Sequence, residues 1–427
     1  MSKPVPALAV WACWAAMFAP AAPAADTQAL SLDQAFERTL ELHPALRRLP
    51  FRRTALAAEL ASADQRPPLE LALGVENVGT SGAVRGVEGA EITLGLQSVL
   101  ERPERRAARI GLVRSQLAEL DVDLEAARLD LLAEVARRYL DALAAQAERV
   151  ALVESLAQRE ATVAAARRRV EAGASPQAVV LGAEAALARA RLELARAEQA
   201  GQGARLRLAL LWGATAADFD RVDGDLMRLP TVPDFSELLA LLARTPELRR
   251  FASEARIREA RLQLARSQLR PDIGWQVGLR RLQSSDDWAL VGSVSVPLGS
   301  RVRAQPAIQA AQAELAELEL ARETGELALR STLAEAHGRM LGEQLAVREA
   351  GASVLPVLRD AERSAGQAYR AGALSHLEWA QLQADLLAAR RERIAAAREF
   401  HRALIEVQRL TAEPFVLAAS AAQETSP

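Results

Sequence analysis

The feature that most limits how this chain folds is an internal duplication with a period of about 200 residues. "HPALRR" at 43–48 corresponds to "TPELRR" at 245–250, and "VEAGAS" at 170–175 corresponds to "YRAGAL" at 369–374. Chance matches would not keep both their order and their spacing, so we predict two halves built on one plan. The predicted parts are a first repeat at 26–213, a linker at 214–233, a second repeat at 234–412 and a C-terminal tail at 413–427.

Each half repeats the same order of predicted elements. A first helix, about 31–66 or 234–269, ends at a proline, which disfavours helix in the residue before it. Apolar residues between Ile110 and Leu131 recur three and four apart, the spacing of a coiled-coil seam. A hairpin precedes each long helix and a returning helix follows it. The predicted hairpins are 68–100 and 272–299, the long helices 103–170 and 303–370, and the returning helices 174–212 and 374–411.

The predicted hairpins alternate strictly between apolar and polar residues. Such an alternation gives a strand one apolar face and one polar face. In the second hairpin the apolar positions are Ile273, Trp275, Val277 and Leu279, and the intervening ones are Gly274, Gln276, Gly278 and Arg280. Two interpretations fit this pattern: strands of a membrane barrel, or a small sheet packed on its own helices in a soluble scaffold or adhesin.

The barrel interpretation requires more than one copy of the chain. Outer-membrane barrels begin at about eight strands, and an open sheet edge in lipid leaves backbone groups unpaired. Two copies of a four-stranded contribution would give about eight strands and three copies about twelve, the larger number leaving an open lumen. In that barrel, the apolar positions from Ile273 to Leu279 face lipid, and Trp275 and Trp288 lie near the lipid interface.

The N-terminal segment has the pattern of a secretory signal peptide. Lys3 precedes an apolar run and the small-residue exit "APAA", which predicts a signal peptide over 1–25. Cys13, the only cysteine of the chain, lies inside this segment, and a second interpretation makes it a lipidated first residue. No other segment approaches the roughly 18 consecutive apolar residues of a membrane-spanning helix.

Composition and motifs argue against nucleic-acid binding and catalysis. The formal net charge is −2, and the basic residues are dispersed among acids, so a nucleic-acid partner is not expected. His43, His337, His376 and His401 stand apart with no catalytic or metal-ligand spacing. The chain has no phosphate-binding loop and no nucleophile elbow. We therefore predict a protein that is not an enzyme, with no cofactor and no metal site.

The order of these elements resembles that of the TolC-like outer-membrane efflux channels. The resemblance covers roughly 30–412 and is carried by "SLDQAFERTLELHPAL", "VSVPLGSRVRAQPAIQAAQAEL" and "AYRAGALSHLEWAQLQADLL". It implies a homotrimer in which each copy gives four strands to a twelve-stranded barrel in the outer membrane and its helices to a tunnel in the periplasm. A periplasmic adaptor (membrane fusion) protein and an inner-membrane pump of the resistance-nodulation-division type would be the partners, besides outer-membrane lipid.

The resemblance also implies two sets of site residues. Adaptor docking would occur at the helix tips, and the periplasmic aperture would be lined near the second tip. The tip residues are Ala172, Gly173, Ala174, Ala371, Gly372 and Ala373, and the aperture residues are Tyr369, Glu378 and Gln381. Where related channels carry an arginine and a second aspartate at the aperture, this chain has Leu374 and Gln381. A ring of Glu378 from three copies would repel anions and hold cations at the constriction.

Within the family, the chain is most similar to the CzcC-like heavy-metal cation efflux branch. This similarity is carried by "ENVGTSG" and "EITLGLQSVLERPERRAARIGLVRSQL". The implied function is a passive channel subunit of a tripartite efflux system, with heavy-metal cations as the candidate cargo. The alternatives are a drug or protein export channel of the same family, or a periplasmic coiled-coil scaffold without a pore.

Overall fold

A computed structural model of the chain describes residues 29–79, 81–82 and 85–416. The predicted signal peptide at 1–25, with Cys13, and residues 417–427 of the predicted tail lie outside the described residues. Helices make up most of the described chain. In order, the elements are β1 Ala29–Leu30, α1 Leu32–Leu42, α2 Pro44–Arg47, α3 Leu49–Ala63, β2 Glu70–Glu76, β3 Glu91–Leu100, α4 Pro103–Glu171, α5 Gln177–Ala209, β4 Arg221–Val222, α6 Phe235–Leu242, α7 Pro246–Ser267, β5 Ile273–Leu282, β6 Asp287–Ser295, α8 Ser300–Glu349, α9 Leu355–Ala371 and α10 His376–Thr411.

The two hairpins join side by side into one antiparallel sheet. Its strand order is β2-β3-β5-β6, so the hairpin of each half pairs with that of the other through β3 and β5. Leu94 is opposite Leu279 in that pairing, and Leu96 is opposite Val277. β2 and β6 are the outer strands, and each has one unpaired edge within the described chain.

The first helix of each half is shorter than the sequence pattern predicts. The single helix expected over 31–66 is divided into α1, α2 and α3, and the one expected over 234–269 is divided into α6 and α7. Of these three breaks, the one between α2 and α3 lies at Arg48, and the other two precede Pro44 and Pro246, each of which opens the next helix at its first position. The prediction of one helix was therefore wrong at these three points.

The long helices differ between the halves. α4 runs unbroken for 69 residues, which corresponds to about 100 Å. In the second half, a five-residue π-helical turn at Ala350–Val354 separates α8 from α9. Gly351 lies in this turn, where a Cβ atom would come within 2.9 Å of the Arg393 guanidinium on α10. The close approach of Arg393 is therefore possible because the turn carries a glycine.

Part of the 214–233 linker forms structure that the sequence pattern did not predict. β4 pairs in parallel with β1, and both strands pack on α4. The Tyr139 hydroxyl lies 2.8 Å from the Leu30 carbonyl and 2.6 Å from the Asp223 carbonyl, and burial raises its pKa. The largest buried cluster surrounds this contact and joins α4 to α10 through Ala397 and Ile405. We call this cluster, with the Tyr139 contacts at its centre, the waist. It packs the two halves together about midway along α4.

Candidate functional site

One face of the four-stranded sheet is apolar and exposed. Its large side chains come from all four strands, and most of them are more than two-fifths exposed. They are Leu71, Leu73, Val75, Ile92, Leu94, Leu96, Trp275, Val277, Leu279, Trp288, Leu290 and Val294. Leu290 is 76% exposed and Leu279 is 54% exposed, which is unfavourable for a sheet in water. We call this set the apolar face.

The opposite face of the sheet is polar. Arg280 extends across β3 to β2, where its guanidinium lies 2.6 Å from the Glu91 carboxylate and 2.8 Å from that of Glu76. It also donates a 2.9 Å hydrogen bond to the Thr93 hydroxyl. Gln97 donates to Glu70 on the same face. The sequence prediction that Gly274, Gln276, Gly278 and Arg280 share a face opposite Ile273, Trp275, Val277 and Leu279 agrees with this pairing.

The helix tips lie at the far end of α4 and α9 and are exposed. Gly173 and Gly372 both have positive φ, at 67° and 86°. At each tip the amide directly after the glycine bonds back five residues: Ala174 N–H donates to the Arg169 carbonyl and Ala373 N–H donates to the Ala368 carbonyl. This is the Schellman pattern, in which glycine takes the left-handed position at least cost. The six tip residues predicted from the sequence therefore form two exposed turns of the same conformation.

Arg169 connects the two tips. Its guanidinium donates to the Tyr369 carbonyl and, at 3.3 Å, to the Ala174 carbonyl. Its Cζ atom lies 4.9 Å from the centre of the Tyr369 ring, a cation–π distance. The same side chain lies about 4 Å from the position of a Cβ at Gly372. One side chain of the first half thus holds the tip of the second.

Tyr369 is buried within a single copy of the chain. Its ring packs against Trp379 at 5.2 Å and His376 at 6.0 Å, and the side chain is 2% exposed. Its hydroxyl is buried without a hydrogen-bond partner among the described residues. Burial, and secondarily the nearby Arg159, lowers the pKa of His376. Within one copy of the chain, Tyr369 therefore belongs to the packing between α4, α9 and α10.

Glu378 and Gln381 lie on the exposed surface of α10. Glu378 completes a capping box: its carboxylate accepts from the Ser375 amide and hydroxyl, and its own amide donates to the Ser375 hydroxyl. These bonds lower the pKa of Glu378. Gln381 donates a 2.8 Å hydrogen bond to Asp385. Glu378 is therefore a fully exposed carboxylate that is also required to begin α10.

A polar network that sequence reasoning missed lies just behind the tips. Gln383 is 1% exposed; its amide donates to the Thr162 hydroxyl at 2.9 Å and to the Glu362 carboxylate at 3.2 Å. The Trp379 indole N–H donates to the same carboxylate at 3.0 Å. Arg169 was missed as well, although the run of three arginines at 167–169, directly before a tip, was a visible signal. The network joins α4, α9 and α10 about one to three turns from the tips.

Three of the four histidines of the chain form hydrogen bonds with backbone groups. His401 Nε2 lies 3.1 Å from the Leu226 carbonyl, and His337 Nε2 lies 3.0 Å from the Pro233 carbonyl. His43 accepts from the Ala45 amide at the start of α2. Among the described residues, no group of three or more His, Cys, Asp or Glu side chains is placed to hold a metal ion. Over the same residues, no helix is both long and apolar enough to cross a bilayer.

Comparison with known proteins identifies the family of this architecture. Residues 35–214 match the family described as Outer membrane efflux protein. Over 320 residues the chain is 30% identical to the cobalt-zinc-cadmium resistance protein CzcC of Cupriavidus metallidurans, covering 73% of this chain and 74% of CzcC. The chain belongs to the TolC-like outer-membrane efflux protein family. The family predicted from the sequence is thereby confirmed.

Two further relatives extend the comparison over most of the chain. Protein CyaE of Bordetella pertussis is 30% identical over 388 residues, which cover 86% of this chain and 81% of CyaE. The crystal structure of CusC, described in connection with transmembrane channel formation, superposes with a TM-score of 0.74. It covers 90% of this chain and 92% of CusC at 17% identity, so it supports the fold alone. The family and the fold are those of efflux channels, not of enzymes.

Proposed function

We propose that three copies of this chain form a passive outer-membrane channel of a tripartite efflux system. The observation that carries the proposal is the four-stranded sheet, which has an exposed apolar face, a polar face and two unpaired edges. Apolar-out, polar-in strands are the pattern of outer-membrane barrels, which have no open edge. Three sheets joined from β6 of one copy to β2 of the next would give about twelve strands and a closed barrel.

The positions of the tryptophans support this placement in a membrane. Trp275 lies near the helix-side end of the apolar face, and Trp288, paired with Arg281, lies near its other end. Six residues of β5 separate Trp275 from Arg281, which is about 20 Å along the strand. Tryptophans at both borders of an apolar band are typical of membrane interfaces. We therefore propose that Ile273, Trp275, Val277 and Leu279 face lipid.

The size of the native particle tests this proposal. We expect the mature chain to fractionate with the outer membrane, to require detergent for extraction and to run as a trimer by light scattering in detergent. We also expect the trimer band on gels to depend on whether the sample is heated. A monomer that stays in solution without detergent would contradict the channel and support the alternative of a periplasmic scaffold.

The helices would form a tunnel that crosses the periplasm and meets an adaptor at the tips. The exposed turns at 172–174 and 371–373 support this role, because they are at the end of α4 and α9 opposite the sheet. Energy would come from an inner-membrane pump, since the family and the fold are those of channels. Three copies of Glu378, exposed near the second tip, would place three carboxylates around the tunnel end.

We propose heavy-metal cations as cargo on the basis of the 30% identity to CzcC, a cobalt-zinc-cadmium resistance protein. The test is growth of the source bacterium, with and without its gene for this chain, in graded zinc, cobalt and cadmium. Loss of resistance to these metals, restored by the gene, is the expected result. Unchanged metal tolerance together with sensitivity to drugs, or loss of a secreted protein, would favour the alternative cargoes.

A further inference from the structure

All chain crossings between the sheet and the helices lie at one end of the sheet. The strand pairing places Leu100 beside Ile273 and Gly274 beside Ser295, and β2 begins at Glu70, opposite Gln97 near the end of β3. Two crossings lead to helix starts, at Pro103 and Ser300, and the other two come from the ends of α3 and α7. This end of the sheet is therefore the border between the apolar face and the helical body.

Arginines stand at each of these crossings. Arg66 precedes β2, Arg102 follows β3, Arg270 precedes β5, and Arg301 and Arg303 follow β6. The turn between β5 and β6, at the opposite end of the sheet, carries the exposed acids Asp286 and Asp287, of which Asp286 pairs with Arg281 at 2.6 Å. The charge of the sheet is thus distributed unequally between its two ends.

The acids near the crossings are already paired. Four carboxylates in this region each lie within 4 Å of the guanidinium of a neighbouring arginine. The pairs are Asp64–Arg106, Glu101–Arg109, Asp272–Arg105 and Glu104–Arg270. Arg66, Arg301 and Arg303 are exposed, and their side chains make no hydrogen bond or ion pair with any described residue. We call these three residues the basic collar.

Apolar side chains accompany the basic collar at the start of α8. Leu298 is 83% exposed, and Val302, between Arg301 and Arg303, is 79% exposed. The first turn of α8 contains no acid, and basic side chains there oppose the helix dipole, so helix stability does not explain them. Exposed apolar residues interleaved with arginines, at the border of an apolar band, match a lipid interface with acyl chains on one side and headgroups on the other.

We propose that the basic collar binds anionic phospholipid headgroups of the leaflet on the helix side of the membrane. The inference rests on the proposed function, because it places the apolar face in a bilayer. Arg66 lies four residues before β2, and Arg301 and Arg303 lie six and eight residues after β6, on the side of the strands where the headgroup layer would begin. Basic side chains at that depth are attracted to anionic lipid. The collar would then fix how deeply the sheet enters the bilayer.

The test is lipid titration of the detergent-purified full-length channel, with thermal unfolding as the readout. Phosphatidylglycerol is compared with phosphatidylcholine of the same acyl chains. We expect phosphatidylglycerol to stabilise the wild-type protein more than phosphatidylcholine does. In the triple variant Arg66→Glu, Arg301→Glu, Arg303→Glu, the apparent affinity for phosphatidylglycerol should fall roughly tenfold or more, with the phosphatidylcholine response unchanged. The triple glutamine variant should show a smaller loss of affinity for phosphatidylglycerol. It also tests the collar if the charge-reversed variant does not fold.

A matched control changes the net charge by the same amount elsewhere. Arg189, Arg196 and Arg348 are also exposed and unpaired among the described residues, but lie on α5 and α8 away from the strand ends. Their reversal to glutamate should leave the phosphatidylglycerol response intact, and an equal loss would overturn the collar. So would stabilisation by inorganic phosphate as large as that by the lipid, or a collar variant that keeps the full response. Any of these three results would overturn the collar while the protein remains a detergent-dependent trimer, so the proposed function would stand. A soluble wild-type monomer would reject the proposed function and the collar together.

Discussion

At the residue scale, the contact of Arg169 with Tyr369 is one connection between the two halves at the tips. Leucine occupies position 374, where the resemblance implies an arginine, so no guanidinium comes from that position. Arg169 provides one from α4, and it stays within a single copy of the chain. The tips are therefore held together before any neighbouring copy is present.

Replacing Arg169 tests this connection. We expect Arg169→Ala to lower the free energy of unfolding by about 1–3 kcal/mol, because a charge-assisted hydrogen bond and a cation–π contact are both lost. Arg169→Lys keeps the charge but not the planar fork, and should recover only part of the loss. Denaturant unfolding in detergent measures both variants. The neighbouring, exposed Arg168 is the matched control, and Arg168→Ala should change stability by less than about 0.5 kcal/mol.

His401 makes the stability of the waist depend on pH. The residue is 1% exposed, and burial is the main cause that lowers its pKa from the usual 6.5. Below that value the unfolded chain takes up a proton that the folded chain resists. Stability from this group is therefore complete above about pH 6.5 and is lost as the pH falls toward the lower folded pKa.

We expect unfolding midpoints to fall between about pH 7 and pH 5, and part of this fall to be absent in His401→Gln. Glutamine retains a donor for the Leu226 carbonyl but does not titrate in this range. Thermal unfolding at closely spaced pH values measures the difference between the two proteins. The same slope in both would show that other groups account for the pH dependence.

At the element scale, the long helices and both hairpins were predictable, because periods of three to four and of two persist over many residues. The seam position Ile308, for example, is buried against α7. The breaks at Pro44 and Pro246 were missed since apolar periodicity continues through them. β1 and β4 are two residues long each, too short for any period to show. Their pairing depends on how the linker packs on α4, which is not encoded locally.

The residues of the candidate site also divide into those that the sequence pattern predicts and those that it does not. The faces of β5 follow from alternation alone, so their residues were assigned correctly relative to one another. Glycines at the tips follow from a helix end that needs positive φ. The roles of Arg169 and Gln383 depend instead on contacts between elements about 200 residues apart in the chain. A single sequence gives no signal for such contacts beyond the residue type.

Single arginine substitutions on the two faces of β5 test the orientation of the strand in the membrane. Val277→Arg places a charge on the apolar face, and we expect it to cost about 2–4 kcal/mol of folding free energy at the bilayer centre. Gln276→Arg, the adjacent residue on the polar face, is the matched control and should be close to neutral. Folding into vesicles, followed by the heat-sensitive gel shift, compares the two. Equal tolerance of both charges would contradict a lipid-facing role for Val277.

At the scale of the whole molecule, the sheet and the tips are about 100 Å apart and are connected directly by α4. This separation predicts that substitutions at one end leave the function of the other end intact. In the proposed channel, adaptor contact and membrane insertion would therefore be separable.

Gly372 offers a test of the adaptor-docking proposal. Gly372→Arg should reduce chemical crosslinking to the adaptor and reduce export, with the trimer still forming in the membrane. Because φ is 86° at this position, any side chain adds backbone strain of about 1–3 kcal/mol. Gly372→Ala carries the same strain without the bulk and is the control. Equal crosslinking by the arginine variant and the wild type would remove the tip from the docking site.

The unpaired edges of β2 and β6 also have a consequence for how the protein is made. A single copy in water would expose both edges and the whole apolar face, the features that favour aggregation of strands. In the proposed assembly each edge finds its partner only on another copy. Assembly of the channel would then depend on the concentration of unassembled chains and on periplasmic chaperones that prevent their aggregation. Overproduction should accordingly yield insoluble protein before it yields more channels.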